Sequence, residues 1–234
     1  MAILRRSIDL EAARALQEEL AQRVRIEPLK GKVELVAGLD AAYLDSTGIG
    51  AAVVMSWPDM EVVEERWVEA EVSFPYIPGY LSFREVPLLE KAFLELRHRP
   101  QLIFVDGQGI AHPRGIGLAS HLGVVLDCPS IGCAKKPLVG REVGEPAHRR
   151  GAILPLRYCG RVVGVALRTK PGVKPVYVSP GYGIDLEGSW RMALAAAKGY
   201  RLPEPIRRAH QLAQRAKAFV RQGARQLRGP TQRR

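Results

Sequence analysis

Two apolar segments that each end in an aspartate are the first candidates for chemistry in this chain. Leu102–Val105 leads into Asp106 and then into a turn rich in glycine and histidine, and Val33–Leu39 leads into Asp40 in the same way. A strand has no packing reason to end in a carboxylate, whereas a metal ion held at the edge of a sheet requires one. If the two strands are neighbours, both carboxylates occupy one small volume, where a divalent cation must cancel their repulsion.

A third carboxylate fits the same pattern. Pro87 is expected to open a helix, which would leave Glu85 just ahead of the first helical turn. The chain has no CxxC or HExxH pattern, and carboxylate oxygens are typical of Mg²⁺ sites, with Mn²⁺ as a substitute, rather than of zinc sites. Two alternatives remain open: Asp40 as an ordinary turn residue after a strand, and Glu85 as a partner of the helix dipole.

Such a site predicts hydrolysis of a phosphodiester. The phosphodiester is inert because its own negative charge repels nucleophiles. One or two divalent ions held by Asp40, Glu85 and Asp106 can neutralise the phosphate, activate a water and stabilise the leaving oxygen.

The charge of the chain agrees with a nucleic-acid partner. The formal net charge is +11 and the isoelectric point is near 9.9. Lysines and arginines are concentrated in the second half of the chain, and the last stretch after Gly223 contains arginines and no acid. This distribution is typical of a surface that faces phosphates, although a solvated basic surface is the simpler alternative.

Hydrophobic periodicity predicts the fold. The pattern gives a helix, three strands in an antiparallel meander, a helix, a strand, a small-residue helix, a parallel strand, a strand-rich stretch and two closing helices. This order is that of an α/β protein with a ribonuclease H-like mixed sheet and flanking helices. The expected bounds are Asp9–Val24, with Leu10, Ala13, Leu16, Leu20 and Val24 on its apolar face, then Val33–Tyr43, Gly50–Trp57, Val62–Val72, a helix from Pro87, Leu102–Asp106, Ile116–Leu122 and Ser130–Ala134.

The chain of 234 residues, 47% of them hydrophobic, is long enough for one substantial core. We predict a single catalytic domain over residues 1–222 and a basic, flexible tail over residues 223–234. The sequence opens without a signal-peptide pattern and has no apolar run long enough to span a bilayer, and its three cysteines are scattered. We therefore expect a soluble, cytoplasmic, monomeric protein.

Four ordered segments carry a family resemblance. They read FPYIPGYLSFRE (Phe74–Glu85), VDGQGIAHPRGIGLASHLGV (Val105–Val124), PSIGCAKKPL (Pro129–Leu138) and YVSPGYGIDL (Tyr177–Leu186). Together they resemble the successive motifs of endonuclease V, and four motifs in the correct order are far more specific than any one. The resemblance implies an Mg²⁺-dependent DNA-repair endonuclease. It would recognise hypoxanthine in deoxyinosine and cut the second phosphodiester on the 3′ side, leaving 3′-hydroxyl and 5′-phosphate ends.

The resemblance also implies two further catalytic residues. Lys135 would place an ammonium near the scissile phosphate, where it stabilises developing negative charge. Lys136 competes for that role, but the family pattern favours the first lysine. His210, on the closing helix, corresponds to an active-site histidine and would act in proton transfer. Glu204 is the acidic alternative there.

Recognition of the base is expected from two groups of residues. Two prolines stiffen a projecting loop that could act as a wedge between bases, and within the full family motif this wedge loop consists of Pro75, Tyr76, Ile77 and Pro78. The residues implied to border the base pocket are Gly79, Leu81, Gly107, Gly132 and Leu138. Because the chain has no asparagine, reading of the base must use backbone groups, Gln108 or a ring residue such as His112.

Two other functions remain open from the sequence. One is an inosine-specific endoribonuclease, since no motif reveals how the 2′-position is contacted. The other is a damage-binding module that does not cut. Intact Asp40, Glu85, Asp106 and Lys135 argue against it, because a pure binder gains nothing from carboxylates clustered beside a phosphate.

Overall fold

The computed structural model describes residues 9–227. The elements within this range follow the predicted order throughout. They are α1 (Leu10–Gln22), β1 (Leu35–Leu44), β2 (Thr47–Ser56), β3 (Val62–Glu71), α2 (Leu81–Leu94), β4 (Leu102–Val105), α3 (Leu118–Leu126), β5 (Ser130–Ala134), β6 (Ile153–Tyr158), β7 (Arg161–Leu167), β8 (Val176–Tyr182), α4 (Leu186–Ala196) and α5 (Glu204–Leu227).

The strands form one mixed sheet in the order β3-β2-β1-β4-β5-β8-β7-β6. The predicted meander of β1, β2 and β3 is antiparallel, and β1, β4 and β5 are parallel. This arrangement confirms the predicted ribonuclease H-like sheet. The register pairs Leu39 with Val105, so Asp40 and Asp106 follow directly at the same edge of the sheet.

Helices cover both faces of the sheet, which explains why its central strands are apolar on both sides. Helices α2 and α3 pack against one face, where Leu39 and Val105 lie in the core. Helix α5 packs against the other face, where Ile206 contacts the core around Phe104. At Gly38, a side-chain carbon would stand 1.9 Å from the carbonyl oxygen of Pro205, so glycine is what lets α5 approach β1 this closely.

Two details of the predicted helices are wrong. Helix α2 begins at Leu81, so Pro87 lies inside the helix and Glu85 lies in the second turn. A helix dipole acts mainly within the first turn, which removes that alternative for Glu85. Pro87 lies in the helix interior, where it has no N–H group to donate and its ring crowds the preceding turn, so it does not set the start of the helix. In α1, Leu10 and Leu16 are exposed, and Gln17 is buried in their place.

The predicted boundary at residue 222 falls within α5, which continues to Leu227. Residues 228–234 of the predicted tail lie outside the described residues. Within residues 9–227, none of the helices is both long and apolar enough to cross a membrane.

Candidate active site

The carboxylate of Asp40 faces α5. Asp40 lies near the centre of β1, and its Oδ2 atom is 2.8 Å from Nδ1 of His210. The Asp40 side chain is 13% exposed, whereas the His210 side chain is 54% exposed and opens to solvent. The structure thus brings together two predicted site residues that are 170 positions apart in the chain.

The carboxylate of Asp106 forms an ion pair with Lys135. Asp106 directly follows β4, and Lys135 directly follows the neighbouring parallel strand β5. The Lys135 Nζ atom donates to Oδ2 of Asp106. Lys136 lines a pocket that Asp106 also borders, and its main-chain oxygen accepts a hydrogen bond from Gln108. The geometry therefore pairs the first lysine, and not the second, with the carboxylates.

Glu85 reaches the same region from α2. The hydroxyl of Tyr43, on β1, donates to Oε1 of Glu85 at 3.2 Å. Arg84 stacks on the Tyr43 ring, 4.1 Å from its centre, and donates to the main-chain oxygen of Phe74. The sequence argument did not assign roles to Tyr43 and Arg84. Arg84 stands in the quoted segment Phe74–Glu85. Tyr43 lies three residues after Asp40 in β1, so the two side chains point to opposite faces of the sheet, and Tyr43 faces α2.

Asp40 and Glu85 are buried carboxyl groups that lie near further negative charge. Burial, followed by repulsion from Asp40 and then from Asp106, raises the pKa of Glu85 to about 8. Burial also raises the pKa of Asp40, and repulsion from Asp106 adds to this effect. Shifted pKa values with these causes are typical of functional sites, because a purely structural site would gain stability from separating the charges.

The donor set suits a hard divalent cation, although the carboxylates do not converge on one point in this arrangement. Among the described residues, no group of three or more His, Cys, Asp and Glu side chains stands close enough to hold an ion. Each carboxylate has one oxygen occupied by a neighbour: Lys135 on Asp106, His210 on Asp40 and Tyr43 on Glu85. The remaining oxygens are ligands of the type that Mg²⁺ prefers, and a cation would relieve their mutual repulsion.

An open pocket of about 230 Å³ adjoins Asp106. It contains most of the residues expected around the base, together with Gln108 and Lys136. Its lining residues are Tyr76, Pro78, Gly79, Leu81, Asp106, Gly107, Gln108, Ala134, Lys136, Pro137 and Leu138. A smaller cavity of about 40 Å³ lies against it and is lined by Ser82, His112, Gly117 and Leu118 as well as by four residues of the first. Tyr76 and Pro78 of the wedge loop and the carboxylate residue Asp106 thus line one concave surface.

Gln108, one of the residues that line this pocket, has an unpartnered acceptor atom. Its Nε2 atom donates to the Lys136 main-chain oxygen at 2.8 Å, which fixes the orientation of the amide. Its Oε1 atom is buried and has no hydrogen-bond partner. In contrast, both ring nitrogens of His112 are occupied, by the Gly79 oxygen and by the Arg114 amide. His112 therefore contributes to the pocket wall rather than offering a free polar atom.

One of the residues expected to border the pocket does not line it. Gly132 lies beneath it in β5, where a side-chain carbon would stand 2.4 Å from the Gly109 nitrogen. Position 132 must therefore be a glycine, because the loop of residues 107–109 approaches its backbone too closely for a side chain. Pro75 and Ile77 belong to the projecting loop but are not part of the pocket lining, whereas the ring of Tyr76 is 68% exposed.

A second groove, of about 410 Å³, lies between the C-terminal ends of α2 and α3. It includes Pro100 and Pro129, which precede β4 and β5, and so it occupies the edge of the sheet opposite the carboxylates. None of the predicted site residues lines it.

The fold and the carboxylate site together define a nuclease of the ribonuclease H-like class. A family model described as Endonuclease V matches residues 18–211 of the chain. The chain belongs to the endonuclease V family, whose members are metal-dependent nucleases of DNA repair.

Individual relatives agree with this assignment. Endonuclease V from Roseiflexus sp. (strain RS-1) is 47% identical over 204 residues, which cover 87% of this chain and 91% of the relative. The crystal structure of endonuclease V from Streptomyces avermitilis is similar with a TM-score of 0.86 at 44% identity, covering 91% of this chain and 94% of that one. Ciona intestinalis endonuclease V, crystallised with a 24mer DNA containing an inosine followed by a ribo-adenosine, matches with a TM-score of 0.80. That match has 27% identity and covers 90% of this chain and 98% of the other.

Proposed function

We propose that this chain is an Mg²⁺-dependent endonuclease that recognises hypoxanthine in deoxyinosine and cuts the second phosphodiester on its 3′ side. The products would carry 3′-hydroxyl and 5′-phosphate ends. The observation that carries the proposal is the cluster of Asp40, Glu85 and Asp106 beside the pocket that the wedge loop borders. The inosine-containing DNA bound by the Ciona relative supports the choice of lesion.

Asp40, Glu85 and Asp106 would hold the metal, with Mn²⁺ as a substitute for Mg²⁺. When bound, a divalent ion supplies positive charge that neutralises the phosphate and favours ionisation of water. Without it, the raised pKa of Glu85 keeps that carboxyl largely protonated near neutral pH. Metal binding must therefore displace a proton from Glu85, which couples metal affinity to pH.

Lys135 and His210 would act beside these carboxylates. Lys135, already paired with Asp106, can turn its ammonium towards the scissile phosphate and stabilise the charge that builds on its oxygens. An ionised Asp40 accepts from Nδ1–H of His210, and this tautomer leaves the lone pair on Nε2 free for a proton from the attacking water. Asp40 would then serve both metal binding and the orientation of His210.

Recognition of the base would use the wedge and the pocket. Tyr76 would fill the space left by the extruded base, because its exposed ring can stack on the neighbouring bases. The free Oε1 of Gln108 would accept a hydrogen bond from the N1–H group of hypoxanthine. Adenine has a lone pair at N1, so the same acceptor repels it. The Gln108 acceptor would therefore distinguish hypoxanthine from adenine at N1, an atom that deamination changes from an acceptor to a donor.

An inosine-directed ribonuclease is the second candidate. The ribo-adenosine that follows the inosine in the Ciona complex is the observation that favours it, because it places a ribonucleotide next to the lesion in a relative. We propose DNA as the main substrate of this chain, with inosine-containing RNA as a possible second one. We further propose that the protein acts as a monomer in the cytoplasm.

One assay tests these proposals together. Matched oligonucleotides with a single inosine, in DNA and in RNA, are incubated with and without Mg²⁺, and the ends of the products are mapped. The proposal expects cleavage of the DNA only with the metal, at the second phosphodiester 3′ to inosine. Tight binding to inosine DNA without cleavage would instead indicate a damage-binding module, and faster cleavage of the RNA would indicate the ribonuclease.

A further inference from the structure

The main-chain oxygen of Gly79, the residue directly after the wedge loop, accepts hydrogen bonds from three side chains. Nε2 of Gln17 donates at 3.0 Å, a terminal nitrogen of Arg114 donates at 2.7 Å, and Nε2 of His112 lies at 3.0 Å. Burial lowers the pKa of His112 to about 4, so its ring is neutral near pH 7. The Arg114 amide donates to Nδ1, and Nε2 therefore carries the hydrogen that points at Gly79.

Gln17 links this contact to α1. Its side chain is buried, with the residue only 1% exposed, on the helix face that also contains Ala13 and Leu20. Both ends of its amide are used, because Oε1 accepts from Nε of Arg114 while Nε2 donates to Gly79. Burying an amide is unfavourable unless it is fully hydrogen-bonded, and an apolar residue would pack on this face at no such cost. A glutamine whose oxygen and nitrogen are both hydrogen-bonded at this position therefore specifies one placement of the helix against the loop.

Arg114 makes further contacts with the same segment. Its guanidinium stacks on the ring of Tyr80, 4.5 Å from the ring centre, while it bonds to Gly79 and Gln17. Tyr80 is the N-terminal capping residue of α2, the helix that carries Glu85. Arg114 therefore contacts both the last residue before this cap, Gly79, and the cap itself. None of these contacts involves the carboxylate cluster.

We propose that Gln17 and Arg114 are positioning residues that brace the wedge loop from below, so that Tyr76 meets the DNA in a fixed orientation. The inference rests on the proposed function, because it assigns the brace to the step in which the wedge replaces the extruded base. Helix α1 thereby controls extrusion of the base and leaves hydrolysis of the phosphodiester unaffected.

The test compares Gln17→Met with Gln22→Met. Methionine preserves the length and burial of the side chain at position 17 and removes both hydrogen bonds. Gln22 is an exposed residue of the same helix, so the same substitution there is the matched control. Single-turnover cleavage is measured on inosine in duplex DNA and in single-stranded DNA, where the lesion has no partner base to leave. Hydrogen exchange of the peptide over residues 74–82 measures how well the wedge loop is held in place when no substrate is present.

Gln17→Met is expected to lower the duplex rate by about tenfold, the effect of losing one to two hydrogen bonds, with a much smaller change on single strands. Exchange of the loop peptide should rise in this variant and stay unchanged in Gln22→Met. Equal losses on both substrates, or unchanged loop exchange, would overturn the inference and leave Gln17 with a general structural role.

A second variant covers the case in which Gln17→Met does not fold. Arg114→Lys retains the charge but cannot bond to Gln17 and Gly79 and stack on Tyr80 at once, and it should give the same selective loss on duplex DNA. Failure of the inference is distinguishable from failure of the proposed function. Suppose that wild type cuts inosine DNA and that Tyr76→Ala loses activity selectively on duplex DNA. If Gln17→Met and Arg114→Lys then show no such loss, the proposed role of Gln17 and Arg114 is wrong and the proposed function stands. If wild type does not cut inosine DNA, the proposed function is wrong, and unchanged loop exchange would still overturn the brace.

Discussion

The Nδ1 atom of His210 lies 2.8 Å from Oδ2 of Asp40 and so joins the second turn of α5 to strand β1. Because Asp40 is nearly buried and His210 is half exposed, the aspartate holds one ring nitrogen while the other faces solvent. This pairing gives the histidine a fixed tautomer and an open position for a proton, which is the arrangement required of a general base.

Replacement of His210 by alanine is expected to slow the chemical step. Single-turnover cleavage of inosine DNA should fall by about 10²- to 10⁴-fold, the usual contribution of a general base, with little change in lesion binding. His148→Ala replaces an exposed histidine elsewhere and serves as the control. A His210→Ala enzyme that retained the wild-type rate would remove His210 from the mechanism.

Glu85 is expected to destabilise the metal-free protein at high pH. Its folded-state pKa of about 8 lies above its ordinary value of 4.5, so the folded state binds the proton more tightly than the unfolded state does. The stability associated with the protonated group is therefore complete below pH 4.5 and is lost as the pH rises through 8. Glu85→Gln, which cannot ionise, should exceed wild type in free energy of unfolding at pH 9 by on the order of 5 kcal/mol.

Urea unfolding in the presence of a chelator measures this difference. The gap between Glu85→Gln and wild type should close as the pH falls towards 4.5. Glu90→Gln, a substitution on the same helix, should show no such gap. Equal stability of Glu85→Gln and wild type at pH 9 would mean that burial and the neighbouring carboxylates do not raise the pKa of Glu85.

Gln108 is expected to set the preference for hypoxanthine over adenine. Gln108→Leu removes the free acceptor at the pocket, so cleavage of inosine DNA should fall by about 10- to 100-fold, while the very low rate at adenine should not fall with it. The ratio of single-turnover rates on the two substrates measures the effect. A variant with an unchanged ratio would show that backbone groups alone read the base.

Tyr76 is expected to act on lesion binding rather than on binding to DNA in general. Tyr76→Ala should weaken binding to inosine-containing duplex by about 1–3 kcal/mol, the value of one stacked base, while Tyr76→Phe retains the ring and should bind nearly as well as wild type. Titrations with matched undamaged duplex provide the comparison. Equal losses on damaged and undamaged DNA would reduce Tyr76 to a general contact.

Much of the fold was predictable because hydrophobic periodicity reports burial directly. The apolar run of β4 and the small-residue helix after it specified a parallel crossover. The adjacency of Asp40 and Asp106 followed from the parallel pairing of β1 with β4, which ends at Leu39 and Val105, although β1 itself continues past Asp40 to Leu44. These features depend on local patterns, and local patterns are what a single sequence displays.

The features that the sequence did not reveal depend on contacts between distant residues. The start of α2 was misplaced because Pro87 is typical of a first helical position, and only the turn from Ile77 to Tyr80 shows where the helix begins. Gln17 is 62 positions from Gly79 and 97 from Arg114, and nothing in its neighbourhood marks it as more than a polar helix residue. Its burial between apolar neighbours exists only in the folded chain.

The central claim is that Asp40, Glu85 and Asp106 hold a divalent metal that the chain needs to cut DNA beside deoxyinosine. The most direct measurement is single-turnover cleavage of an inosine duplex by wild type and by Asp106→Ala in Mg²⁺, with lesion binding measured in Ca²⁺, whose larger coordination shell supports binding without efficient cutting. The account predicts that Asp106→Ala binds the lesion but does not cut it. Retention of a substantial fraction of the wild-type cleavage rate by Asp106→Ala would contradict it.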